Sequence, residues 1–220
     1  MIRAVPPTAD NRACLSRRHL LAGLPLAAVM LSAGTGPARA ADEAAAMRFV
    51  DALGRQAIGI MQQPISVSQR EVHLRELLRQ GFDLGFIARF VLGRAYNSLT
   101  PEQAGDYFEA FSEFVLRSYA RRLAAYQVRS FTITGARAAG DADSVVATRI
   151  EPANGQPVAC EWRVRETNQR HGIIDLTLEG VSMAVTQRNE FASLVNAQGV
   201  PGLIAVLRAR SDRETVGASR

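Results

Sequence analysis

The feature that most constrains the fold is a change of hydrophobic period near residue 130. Before it, apolar residues recur every three or four positions; after it, they alternate. Phe131 and Ile133 alternate with threonines, and Val146 and Ile150 with Ala147 and Arg149. Val158, Cys160, Trp162 and Val164 alternate with Ala159, Glu161, Arg163 and Arg165, and Ile174, Leu176 and Leu178 with Asp175, Thr177 and Glu179. Each stretch has one apolar and one polar face, as a half-buried strand does. Turn-forming residues separate them: Gly140-Asp141-Ala142-Asp143, Asn154-Gly155, and Asn168 to Gly172. Parallel strands need long crossovers, so connections this short predict an antiparallel meander of four strands. Cys160 falls on the apolar face as a buried thiol, and His171 falls in a solvated turn.

The helical period dominates upstream. From Asp42 to Met61, Ala46, Phe49, Val50, Leu53, Ala57, Ile58 and Ile60 mark an amphipathic helix that Pro64 ends. Ser68-Gln69-Arg70-Glu71 reads as a capping box opening a second helix, with Val72, Leu74, Leu77 and Leu78, that stops at Gly81. Asp83 caps a third, Leu84 to Leu92, with Gly93 at its end. Thr100-Pro101-Glu102-Gln103 is the strongest local signal: a threonine N-cap, proline where its missing N–H costs nothing, and glutamine at N3. The helix it opens runs to about Tyr126, roughly 38 Å. Tyr107, Phe108, Phe111, Phe114, Val115, Tyr119, Leu123 and Tyr126 form an apolar, aromatic-rich stripe along it. Two helices close the chain, about Thr186 to Ala197 and Pro201 to Arg210, with Gly199 between them. Helices, then strands, then helices read as α+β. The long helix is predicted to pack its stripe on the apolar face of the sheet, in a single domain over residues 41–210 with a loose tail over 211–220.

Residues 1–40 read as a cleaved export signal. Ser16-Arg17-Arg18-His19-Leu20-Leu21 places two arginines before an apolar run to Leu31, and the small-residue site Ala38-Arg39-Ala40 follows. The paired arginines, Pro25 and the modest hydrophobicity of the run point to the twin-arginine route, with general secretion as the alternative. The run is too short and too interrupted for a permanent anchor. The leader holds five of the 26 basic residues and one of the 21 acids, so without it the balance falls to 21 against 20. The basic character of the whole chain therefore belongs to the leader, and no nucleic-acid partner is indicated.

Catalytic equipment is sparse. Gly180-Val181-Ser182-Met183-Ala184 approximates a nucleophile elbow, but no histidine follows it in the chain, as that triad order requires. Ser182 reads instead as a local cap between strand and helix. His73 and His171 are far apart and show no zinc-ligand spacing. Phosphate-loop and dinucleotide fingerprints are missing. Glu109, Glu113 and Arg117 fall one helical turn apart, a solvated ion-pair ladder rather than an acid–base pair.

Several stretches resemble the MlaC family of periplasmic lipid-binding proteins, which includes toluene-tolerance auxiliary proteins and the hopanoid-associated HpnM group. They are Phe90-Val91-Leu92-Gly93-Arg94-Ala95-Tyr96, Thr100-Pro101-Glu102-Gln103, Tyr107-Phe108-Glu109-Ala110-Phe111, Glu161-Trp162-Arg163, and Glu179-Gly180-Val181-Ser182-Met183 continuing through Gln187-Arg188-Asn189-Glu190-Phe191 to Gly199, Gly202-Leu203 and Leu207. Their order fits over roughly residues 42 to 210. One departure is Arg170-His171-Gly172, where some relatives carry a tryptophan before the last strand. The resemblance implies a helical layer over a curved antiparallel sheet with acyl chains held in an apolar cavity between them. It implies a periplasmic, monomeric carrier of phospholipid or a related lipid. This carrier would exchange cargo with an inner-membrane ABC lipid transporter and an outer-membrane lipoprotein complex. It needs no cofactor beyond the bound phospholipid and is not an enzyme. The expected lipid contacts are Phe90, Val91, Tyr96, Phe111, Val115 and Tyr119 on helical segments, Trp162, Val164, Ile174 and Leu176 on strands, and Val181 and Met183 at the last turn. Arg94, Arg121 and Arg122 are the expected head-group contacts. Two other readings stay open: an enzyme on a similar α+β cone using a buried acid such as Asp175, and a non-catalytic envelope adaptor with a filled core.

Overall fold

The computed structural model describes residues 37–217, with side chains from 42 to 213. The arginine pair and apolar run of the expected leader lie outside the described residues. The sheet contains β1 Val128–Ala138, β2 Asp143–Pro152, β3 Val158–Thr167, β4 Arg170–Leu178 and β5 Val181–Ser182. They pair antiparallel in chain order, as the short turns predict. Among the described residues there are five strands, not four. Glu179 and Gly180, at φ 46° and 81°, make a two-residue turn that folds Val181 back onto Leu178. A two-residue strand is too short to show alternation, which is why the period alone misses it.

A second tight turn corrects the reading of His171. Asn168 and Gln169, at φ 51° and 60°, complete the β3–β4 hairpin by themselves. His171 therefore lies inside β4 opposite Glu166, with Nε2 3.5 Å from that carboxylate and its ring 5.7 Å from the ring of Phe49. The predicted faces hold: Val146 pairs with Trp162 and Thr148 with Cys160, and these meet Leu176 and Leu178 on β4. A bulge beyond Arg163 shifts the phase of β4, so Ile173 and Ile174 are both buried. The Ile173 carbonyl accepts a hydrogen bond from the Asp83 amide at 2.9 Å, which covers part of the outer edge of β4.

The helices are α1 Pro37–Gln62, α2 Val67–Gly81, α3 Leu84–Leu92, α4 Pro101–Ala125 and α5 Met183–Gly217, with a 3-10 turn over Gly93–Ser98. The capping box of α2 is Ser66 with Gln69, not Ser68 with Glu71: the Gln69 amide donates to Ser66 Oγ at 3.2 Å and the Ser66 amide to Gln69 Oε1 at 3.0 Å. The same spacing is satisfied two residues earlier, and Glu71 is left to pair with Arg75 at 2.9 Å. Asp83 caps α3 by accepting from the Phe86 amide at 2.8 Å, and the Thr100–Gln103 box opens α4. Gly199, at φ 68°, breaks α5 into two segments. The second continues past Ser211, which is buried, to Gly217, so helix extends beyond the point where the sequence predicts a loose tail.

The predicted packing of α4 on the sheet is incorrect. It is α1 that covers the sheet: Ala46 and Val50 bury against Val146, Val164 and Ile173. The helix α4 lies between α2 and α5. Its Tyr107 and Phe111 are fully buried with Ala88, Val91, Phe191, Leu203 and Leu207 from α3 and α5. Phe111 meets Phe191 edge-to-face at 6.2 Å, and Tyr107 donates its hydroxyl to the Ala88 carbonyl at 2.9 Å. The aromatic stripe thus fills a helical core. The sheet, whose apolar face already carries Phe131 and Trp162, takes a helix with small residues facing it. Met61, Leu74, Leu77, Ala120 and Ala124 join α1, α2 and the end of α4 in a third cluster.

Candidate functional site

Between the sheet-facing cluster and the α1–α2–α4 cluster lies an apolar pocket of about 110 Å³. The amphipathic stripe of α1 supplies Val50, Leu53, Gly54, Ala57, Ile58 and Met61. Leu74, Leu77 and Leu78 come from α2, Phe82 from the α2–α3 junction, and Leu123 from α4. The sheet contributes Val128, Phe131, Ile150, Trp162 and Ile173. The one polar atom of the Trp162 ring is turned aside, since Nε1–H donates to Thr148 Oγ1 at 2.9 Å. An indole N–H already satisfied leaves the ring to act as apolar wall.

Of the expected lipid contacts, Trp162 lines this pocket. Phe90, Val91, Tyr96, Phe111 and Val115 belong to the helical core formed with α3 and α5. Tyr119 is half-buried, and burial raises the pKa of its phenol. Val164 packs against α1, Ile174 is buried, Leu176 and Met183 are half-buried, and Val181 is exposed. Arg94 sits exposed on the 3-10 turn. Arg121 and Arg122 stand beside Leu123 near the end of α4, with the Arg122 guanidinium 6.0 Å from the Tyr119 ring centre. The period of α1 predicts an amphipathic stripe, and no local pattern distinguishes a pocket wall from a filled core. Arg70 Nη1 donates to the carbonyl of Met61, a pocket residue, at 3.3 Å.

Polar groups elsewhere are structural. Asp143 has a side chain only 2% exposed and receives Arg163 Nε at 2.7 Å and Arg165 Nε at 2.6 Å. Burial pushes its carboxyl up, but the hydrogen bonds from Arg165 and Arg163 outweigh this and hold it below the usual range. It borders a polar pocket of about 350 Å³ between the start of α1 and the β1–β2 and β3–β4 hairpins. Among the described residues no group of three or more His, Cys, Asp and Glu side chains is arranged to hold a metal. Ser182 donates to Asp175 Oδ2 at 2.6 Å and accepts from the Val185 amide at 3.1 Å, while Asp175 Oδ1 accepts from the Ala184 amide at 3.0 Å. The elbow-like sequence is therefore a helix cap, and both Asp175 oxygens are engaged in it. Cys160 is buried; burial, then the nearby Glu179 carboxylate, push its thiol up to about 11.

The family model described as MlaC protein matches residues 51–209. The chain belongs to the MlaC family. The intermembrane phospholipid transport system binding protein MlaC of Haemophilus influenzae is 25% identical over 158 residues, covering 68% of this chain and 74% of that protein. A phospholipid-binding protein from Ralstonia solanacearum, solved in complex with a phospholipid, is 24% identical with a TM-score of 0.67. The match covers 76% of this chain and 97% of that one, and shows a shared fold. Two of the stretches that carry the MlaC resemblance meet in space. Arg188 donates from Nη1 to the Phe90 carbonyl at 3.2 Å, and its guanidinium lies 5.1 Å from the Phe90 ring centre. Gly93, at φ 61°, leaves room for it: a Cβ there would stand 3.2 Å from Arg188 Nη2.

Proposed function

We propose that this MlaC-family protein is a periplasmic carrier that shuttles a phospholipid, or a related membrane lipid, between inner and outer membranes. Its acyl chains would lie in the pocket between α1, α2 and the sheet. The observation that carries the reading is the apolar lining of that pocket, with the Trp162 N–H turned to Thr148. Two relatives support it: one is the binding protein of an intermembrane phospholipid transport system, and one was solved holding a phospholipid. Exposing acyl chains to water costs about 0.8 kcal/mol per CH₂, on the order of 20 kcal/mol for two chains of ordinary length. A wall resembling the bilayer interior cancels most of that cost while leaving transfer near neutral, so that the cargo can be released.

An apolar cavity of about 150 Å³ takes a benzene, so at about 110 Å³ the pocket must widen to admit a diacyl lipid. The head group would be held at the rim, where Arg70 donates to the carbonyl of the pocket residue Met61; Arg121 and Arg122, near the end of α4, are further candidates to meet its phosphate. The carrier acts without catalysis as the soluble component of an ABC-type lipid transport system. It works as a monomer between an inner-membrane transporter and an outer-membrane lipoprotein complex. The twin-arginine leader over 1–40 supplies the address, and the residues after it form the lipid-binding domain. The test is to purify the exported protein, extract it with organic solvent and examine the extract by mass spectrometry, alongside uptake from labelled vesicles. Co-purifying phospholipid and uptake are expected; finding neither refutes the reading.

A further inference from the structure

We propose that Phe131 limits how much acyl chain the pocket admits, and that Gly54 is the seat on which its ring closes. This rests on the lipid reading above and names the residue that sets chain capacity. Gly54 lies well inside α1, where glycine is disfavoured relative to alanine. A Cβ at that position would stand 2.5 Å from Phe131 Cε1, 2.7 Å from Cδ1 and 2.8 Å from Cζ. The ring therefore rests directly on the helix backbone, an approach that any other residue at 54 would block.

Three further observations make Phe131, rather than another wall residue, the limiting one. Its ring is a pocket wall, meets Trp162 at 6.3 Å and lies against Gly54 at the seam where α1 packs on β1. Like Leu123 and Trp162 it is half-buried, whereas Val50, Leu74 and Ile173 are sealed in the core. It also sits on the first strand of the sheet, with a neighbour on one side only, between two register shifts at Val128/Ser130 and Ile133/Gly135. Bulges break the hydrogen-bond ladder and let a strand bend locally. The ring can thus leave its seat with the segment between the shifts, while the central strands keep their register. Chain atoms then extend the pocket along the seam.

The exported protein is delipidated and offered vesicles of phosphatidylethanolamine running from dilauroyl to distearoyl chains, and bound lipid is read by native mass spectrometry. Phe131→Ala is expected to shift the preferred chain towards longer acyl groups, with uptake relative to the parent rising about fourfold for each methylene that the parent pocket leaves in water. Phe131→Leu should fall between it and the parent. A thermal cycle reads the contact independently. Gly54→Ala should lower Tm in the parent and raise it in the Phe131→Ala background, where the methyl has room and helix propensity is all that remains. A parent protein that takes up no lipid of any length overturns the carrier reading, and this proposal with it. Lipid uptake with an unchanged chain-length profile in folded Phe131→Ala overturns the proposal alone, as does a Gly54→Ala Tm change of the same sign in both backgrounds.

Discussion

Arg188→Ala is the perturbation whose outcome the structure fixes most closely. The guanidinium donates to the Phe90 carbonyl at 3.2 Å, in the last turn of α3, and lies 5.1 Å from the Phe90 ring centre. A hydrogen bond from a charged donor contributes about 1.5–3 kcal/mol, the cation–π contact about 0.5–1 kcal/mol and a cation at a helix C-terminus about 0.3–1 kcal/mol. These terms share one group and do not add fully, so a loss of about 3 kcal/mol is expected, or a Tm decrease of about 6–12 °C for a chain of this size. Arg188→Lys keeps the charge but loses the planar group over the ring, and should lose about half as much. Gly93→Ala strains a backbone held at φ 61° and crowds the same guanidinium. Its penalty should therefore shrink when Arg188 is alanine, which leaves only the backbone cost of about 1–3 kcal/mol. Thermal unfolding followed by circular dichroism reads all of these. An Arg188→Ala Tm within about 2 °C of the parent would refute the view that this contact joins α3 to α5.

Three further outcomes follow from the geometry. The depressed carboxyl of Asp143 contributes stability above the ordinary aspartate pKa of about 3.9, and that contribution is lost as pH falls from there through its folded value. Asp143→Asn should cost about 1.5–3 kcal/mol at neutral pH, with the gap to the parent closing in acid; urea titrations across pH check this, and a gap that persists in acid contradicts it. Cys160, 2% exposed and with its thiol raised to about 11, should resist aromatic disulfide reagents at pH 8 and react fully only in denaturant; rapid labelling of the native protein would place it at the surface. Trp162 is the chain's one tryptophan and a pocket wall, so lipid loading should change its emission, and Trp162→Phe should abolish the signal while retaining uptake. Uptake with unchanged emission would locate the lipid elsewhere.

Whatever is decided within a few residues of chain was legible before folding. The Thr100 cap, the Asp83 cap, the break at Gly199 and the antiparallel meander each depend on local hydrogen bonding or on a two-residue period. The buried state of Cys160 followed from the same alternation. The exceptions are of the same short range: Ser66 and Ser68 offer equivalent caps, and β5 is shorter than one period.

Which surfaces meet was settled only by the tertiary structure. Amphipathic spacing states that a face must be buried and is silent about its partner. The sequence predicts the stripe of α4 on the sheet, and the period of α1 does not mark it as the helix that takes that place. The aromatics of α4 are accommodated by α3 and α5, where Phe191, Leu203 and Leu207 interlock with them. The sheet, with Phe131 projecting from it, takes the helix that has Gly54 at the point of closest approach. That choice sets the apolar pocket against α1, α2 and the sheet, with Trp162 in its wall. Pockets arise where packed elements fail to fill the space between them, a property of three bodies at once that no single stretch of chain encodes.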